Sequence, residues 1–345
     1  TWGVPAVDGF DGGILPLRYY AAFTQLFTGA ASADGRLREN LTTVPDPRLL
    51  ALVNTRWLIT DKVRDAWING VFYDLEFTVA LGAGETAEVA HVPAFEATAV
   101  GAVADSPTGA LEITTPEGQT FSLPLNAARL ALPVPTRIAR LRLIGPLSVR
   151  GLSLLDTRTG AFQTLTLGPY RLAHSGDVKV YEQQIVQPRA FVVPEIVVAG
   201  DDAQARRILA DSGFDPARAA VLEAAPAGWP VQGAQGAGPA TPPTITHYAP
   251  EVVRLTAAGP GLLVLTDAFY PGWRATIDGQ PAPILRADIA FRGIVLPAGA
   301  HTVEFRFAPA SLRLGAGLTV VGGLGVISLL AAGRLKADER KGPRL

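Results

Sequence analysis

The stretch DAFYPGWRATIDGQPAPI, Asp267 to Ile284, decides the fold. Pro271-Gly272 makes a bend, a short alternating run follows, and Asp278-Gly279 is a dipeptide suited to a two-residue hairpin turn. Tyr270, Trp273 and, further on, Phe291 alternate with small or polar residues, which puts aromatics on the inner face of a strand. The stretch is therefore expected to be a folded corner of a β-sandwich, with Trp273 filling the core. An exposed aromatic platform, on which Tyr270 and Trp273 stack against a sugar, is the alternative.

On either side the same grammar continues. TITHY, EVVRLTAA, GLLVLTDA, IAFRGIVL and HTVEFRF read as short strands joined by Ala-Gly-Pro-Gly, Asp-Gly-Gln and Pro-Ala-Gly-Ala turns, a compact membrane-proximal β-sandwich over 244–310. Upstream, 72–168 carries a second set of regularly spaced strands, among them EFTVAL, ALEITT and IARLRLIG, which point to an antiparallel sandwich or jelly roll. Residues 1–71 read as a loop, helices and a strand at Arg56 to Thr60. The helix there is opened by Asp46-Pro47, with proline suited to the first turn. Residues 169–224 supply strands and a short polar helix, Asp201 to Asp211, that complete this small α/β element. The Pro/Gly/Ala/Gln composition of 225–243 is that of a linker or long exposed loop. The expected class is mainly β, with two antiparallel sandwich or jelly-roll-like domains, a small α/β element and one C-terminal transmembrane helix.

That helix is LGAGLTVVGGLGVISLLAAG, 314–333, about 20 residues without a charge. At roughly 1.5 Å rise per residue it matches a hydrocarbon core of about 30 Å. Its glycines make it thin enough to pack closely on other membrane helices. Arg334, Lys336, Arg340, Lys341 and Arg344 follow in the tail 334–345, so the positive-inside rule expects a cytoplasmic C-terminus and an extracytoplasmic 1–313. Thr1 to Phe27 lacks a basic leader followed by a long apolar run, and the 345 residues include no methionine, so upstream segments are expected to direct export.

Composition narrows the chemistry. Zero cysteines exclude thiol catalysis and thiolate metal sites. A net charge of -1, from 30 basic and 31 acidic residues, leaves no electrostatic footprint for nucleic acid. The four histidines stand apart, none at the spacing of a zinc motif, and no metal site is expected. No nucleophile elbow, phosphate-binding loop or dinucleotide fingerprint occurs. The strongest polar constellation is Asp8-Gly-Phe-Asp11-Gly-Gly, where Asp8 and Asp11 could hold a cation or accept sugar hydroxyls. Aspartate and glycine are equally ordinary turn formers.

Several segments together resemble one family, the YfhO-type bacterial polytopic membrane proteins: VDGFDGGILPLRYYAAF, LLALVNTRWLITDK, VKVYEQQIVQPRAFVV, FDPARAAVLE and, above all, AFYPGWRATIDGQPAPILRADIAFRGIVLPAGAHTVEFRF before a last membrane helix. The resemblance implies a many-helix membrane glycosyltransferase of the cell envelope that uses a polyprenyl-phosphate sugar donor. Its catalytic carboxylate would lie in an early extracytoplasmic loop, so no residue here inherits that role and no cofactor is expected in this segment. The implied partners are membrane lipid, upstream transmembrane helices of the same protein and cell-envelope glycan. The segment's own part would be scaffolding or acceptor recognition. A membrane-anchored carbohydrate-binding or structural β-sandwich module without catalysis is the rival.

Overall fold

The computed structural model describes residues 18–29, 37–106, 108–227, 229 and 242–339. The protein is mainly β, and among the described residues its strands lie in several sheets whose pairs are antiparallel with one exception. Among the described residues two compact units form, one holding Thr24–Arg189 and the other the residues up to Phe23 together with Ala190 onward.

The first unit is built on a sandwich. One sheet has the strand order Thr86–Glu88, Arg140–Ile144, Ala110–Thr114, Thr120–Pro124. The other runs Ala161–Leu165, Leu147–Asp156, Glu96–Ala104, Arg129–Arg137, with Val79–Leu81 also paired to Leu147–Asp156. Period-two alternation decides which side chains meet between them. In Ala110–Thr114 the buried residues are Leu111 and Ile113, while Glu112 meets Arg142 of the next strand at 3.0 Å. Leu111, Ile113, Leu141 and Leu143 from one sheet share a core with Val100, Val149, Leu152 and Leu154 from the other.

The second sheet is covered on its other face as well. The hairpin of Asp65–Ile68 and Val71–Asp74 lays Val71 and Tyr73 on Ala99 and Leu155. Gly101 and Gly151 make this approach possible, because a Cβ at Gly101 would lie 2.3 Å from the Tyr73 hydroxyl and one at Gly151 2.7 Å from Leu75. The Phe72 carbonyl, buried by the same approach, accepts from Ser153 Oγ at 2.7 Å and Thr164 Oγ1 at 3.0 Å. The expected boundary at 71/72 thus falls inside one hairpin, whose packing assigns it to the sandwich. A three-stranded sheet, Trp57–Thr60, Lys179–Gln183, Tyr170–Ser175, joins the early strand to the late ones. Tyr170 stacks on Phe77 at 4.1 Å, and Tyr181 meets the same ring edge-on at 4.8 Å.

The second unit is a nine-stranded sheet organised by two strands of 17 residues, Val252–Ala268 and Phe291–Phe307. The expected turns Ala-Gly-Pro-Gly and Pro-Ala-Gly-Ala are not turns: each lies inside one of these strands. Gly259 faces Gly299 in the register, and the pairing shifts between Gly259 and Gly261. With the irregular segments opposite each other, the two chains deform as a pair and pairing continues beyond. Val253, Leu255, Leu263, Leu265, Ile294, Val303 and Phe305 form the core. Beyond Leu285–Ala287 the sheet ends in Ala219–Leu222 and Glu195–Val198, the one parallel pair, connected through helix Asp202–Ala210. Asp201 caps that helix by accepting from the Gln204 N–H at 2.7 Å. The expected segment 169–224 is therefore divided at Arg189/Ala190, its first strands belonging to one unit and its βαβ crossover to the other.

Helix Ala310–Glu339 follows Phe307 after two residues, and its stretch Ala310–Leu330 is long and apolar enough to cross a membrane, with none of it buried in the fold.

Candidate functional site

The corner at 267–284 is assembled on the end of strand Phe291–Phe307. Strand Trp273–Ile277 pairs with it, Trp273 opposite Phe307 and Ile277 opposite Val303, then returns through Asp278 and Gly279 to Gln280–Ala282. Both turn residues have positive φ, 49° and 81°, as a two-residue hairpin turn of the favoured twist requires. The Asp278 carboxylate closes the turn onto the neighbouring strand: Oδ1 accepts from the Thr302 N–H at 2.8 Å and Oδ2 lies 2.7 Å from His301 Nδ1. The hydrogen bond to His301 holds Asp278 below the usual carboxylate range, and the same bond raises His301.

Trp273 is partly buried and packs against the core of this unit. The Arg292 guanidinium lies 3.6 Å from its ring centre, and Phe307 meets it tilted at 5.4 Å. Arg292 is itself buried; its Nε donates to the Ala268 carbonyl at 3.0 Å, and Nη1 stands 3.8 Å from Asp267 Oδ2. Burial lowers Arg292 to about 10, with Asp267 opposing the shift. Tyr248 donates its hydroxyl to Asp267 Oδ1 at 3.1 Å. A sugar stacking on the Arg292 side of Trp273 would have to displace a guanidinium from a cation–π contact. Tyr270 differs from the inward-facing expectation: it is 44% exposed, because it precedes the strand and sits in the bend before Pro271. Nothing in the sequence marks Arg292, Asp267 and Tyr248 as a group, since they come from three separate strands that only the pairing of Val252–Ala268 with Thr244–Ala249 on one side and Phe291–Phe307 on the other unites.

Two further polar clusters were equally silent in the sequence. In the second unit, partly buried Arg286 donates Nη1 to Asp202 Oδ1 and to the Ile289 carbonyl, each at 2.8 Å, and pairs through Nη2 with Glu223. Tyr19 stacks on its guanidinium at 4.2 Å. Arg286, Asp202, Glu223 and Ile289 border a water-sized recess at the N-terminus of helix Asp202–Ala210. In the first unit, buried Lys179 pairs with Asp65 and, at 3.2 Å, with Asp74, which also accepts from the Tyr181 hydroxyl at 2.7 Å. Burial raises the Tyr181 phenol, with Asp74 adding to the shift. Every member of this cluster has a partner, and its chemistry is that of a structural pin.

Asp8 and Asp11 lie outside the described residues. Among the described residues no group of three or more His, Cys, Asp or Glu side chains could hold a metal ion.

The last strand of this β domain thus runs within two residues into an unburied helix long and apolar enough to cross a membrane. Residues 240–319, which take in the strands from Thr244 to Phe307 and the start of the apolar helix, match the model of the family described as bacterial membrane protein YfhO. No curated protein matches the chain. Among solved structures it is similar to the arabinofuranosyltransferase AftD from mycobacteria, at 14% identity and a TM-score of 0.21, over 83% of this chain and 26% of that one. A single-substitution mutant of AftD gives 13% identity, a TM-score of 0.21, and 84% and 27% coverage. The chain thus spans about a quarter of those structures, and scores this low do not establish a shared fold.

Proposed function

We propose that this chain is an extracytoplasmic region of a YfhO-type polytopic membrane protein, and that the whole protein transfers sugar from a polyprenyl-phosphate donor to a cell-envelope polymer. The observation that carries the reading is the family match over 240–319, which includes the β corner and the beginning of the apolar helix. The glycosyltransferase part follows from the family resemblance. For this segment itself the proposed part is a supporting one, scaffolding or acceptor recognition. The Asp8/Asp11 stretch is the proposed point of contact with substrate, because two closely spaced carboxylates can accept hydrogen bonds from sugar hydroxyls.

The test is made in cells that depend on the whole protein. Asp8→Asn with Asp11→Asn is expected to leave expression and protease resistance near wild type while lowering the sugar content of the envelope polymer severalfold. Deletion of the gene with no change in envelope glycans would overturn the glycosyltransferase reading. Unchanged glycans in the double variant alone would reduce the loop to a turn.

A further inference from the structure

We propose that the corner Phe269–Trp273, with Arg274 and Arg306 beside it, is a lipid-contacting surface that lies in the headgroup layer of the bilayer crossed by the following helix. The inference rests on the membrane reading of that helix and assigns its lipid contacts to particular side chains outside it.

Connectivity fixes the height of the corner. The Ala308 N–H donates to the Gly272 carbonyl at 2.8 Å, tying the bend to the two-residue link before Ala310. The packing is close, since a Cβ at Gly272 would fall 2.9 Å from the Phe307 ring and 3.0 Å from Pro309. The charge-free run begins at Leu314, four residues after Ala310, and four residues of helix rise about 6 Å. The headgroup region adds roughly 5 to 7 Å on each side of the hydrocarbon core. The helix root, and the corner fastened to it, therefore fall within that layer.

The side chains suit it. Tyr270 is 44% exposed and lies 6.1 Å from Phe307, presenting an aromatic body with a polar tip, the kind of group enriched at membrane interfaces. Alternation along Trp273–Ile277 turns Arg274 outward, and it stands directly opposite Arg306 on the neighbouring strand. Like charges directly opposite are unfavourable in a sheet. Arg306 shares the Glu304 carboxylate with Arg254, while Arg274 makes no ion pair among the described residues. Arg254 and Arg306 share one carboxylate and Arg274, opposite Arg306, has none, so this row beside the aromatic corner carries net positive charge. Anionic lipid headgroups would neutralise it, and each basic residue near such a surface adds attraction.

The chain has no cysteine, so single-cysteine variants take a fluorophore cleanly. Full chain in nanodiscs would carry the label at Tyr270→Cys, at Gln280→Cys beyond the hairpin turn, or at Val321→Cys within the helix. Quenching is read from lipids bearing a nitroxide either on the headgroup or deep in the acyl chain. Headgroup nitroxide is expected to quench the label at 270 at least threefold more than the label at 280, while acyl-chain nitroxide quenches the label at 321. Equal quenching at 270 and 280, with 321 still quenched, would overturn this inference and leave the membrane reading standing. Loss of quenching at 321 would remove the membrane reading itself. Shielding at 270 that appears only when envelope polymer is added would make the corner a glycan surface and also overturn the proposal. In discs containing phosphatidylglycerol, Arg274→Gln with Arg306→Gln is expected to halve the headgroup quenching at 270, with little change in phosphatidylcholine. Equal quenching in the two lipids would remove the arginine pair from the surface.

Discussion

Trp273 stands where a core and a surface meet, with a buried arginine against its ring and Phe307 beside it. Its removal would leave the Arg292 guanidinium, already short of one hydrogen bond at Nη1, facing a cavity. Trp273→Ala is expected to destabilise the second unit by about 3 kcal/mol, the lower end of the range for deleting a large aromatic, because the ring is partly buried. Thermal unfolding of the purified chain reads this, with Tyr270→Ala as the exposed control that changes stability by less than about 0.5 kcal/mol. A second residue carries a pH signature. Asp288 is fully buried, exchanges hydrogen bonds of 2.8 Å with the Val221 backbone through its N–H and Oδ1, and has no partner at Oδ2. Burial raises its carboxyl from 3.8 to about 7, the Val221 N–H opposing the shift. Between those values the folded state holds a proton that the unfolded state has lost, so this group's contribution to stability is fully present below pH 3.8 and is lost as pH rises through 7. The fall attributable to this group is about 4 kcal/mol. Asp288→Asn keeps an acceptor for Val221 and should flatten that part of the stability curve measured by denaturant titration. A curve of unchanged slope would mean that the carboxyl is ionised in the fold.

At the scale of elements, what the sequence showed and what it hid divide along local and non-local lines. The Asp46-Pro47 helix start, the Asp201 cap and the Asp278-Gly279 turn were legible, because each is specified within three or four residues. The two 17-residue strands were not: Ala-Gly-Pro-Gly and Pro-Ala-Gly-Ala look like turns singly, and only their mutual register makes them a shared irregularity. Nor could spacing reveal the pin between hairpin 65–74 and strand Lys179–Gln183, whose parts are more than 100 residues apart. Lys179→Met leaves Asp74 buried without its cation and is expected to cost about 3 to 5 kcal/mol, the usual penalty for breaking a buried pair from one side. Adding Asp74→Asn should recover part of that loss, since the remaining charge is then removed while Tyr181 keeps an acceptor. Equal stability of the single and double variants in denaturant titrations would show that the pair is solvated.

For the whole molecule, the order of the parts matters more than any single contact. A β domain that matches the YfhO family model is joined by two residues to an apolar helix, and the corner of that domain is hydrogen-bonded to the joint. Composition made the helix legible, whereas the lipid-level placement of Tyr270 and Arg274 emerged only once the Gly272 to Ala308 bond was known. The central claim is that the β units lie outside the cell and the basic C-terminal end of the helix lies inside. It is tested most directly by labelling single cysteines at Gln280 and Ala337 in intact cells with a membrane-impermeant maleimide. The account predicts labelling at 280 without treatment and at 337 only after permeabilisation. Labelling at 337 in intact cells, with 280 protected, would contradict it.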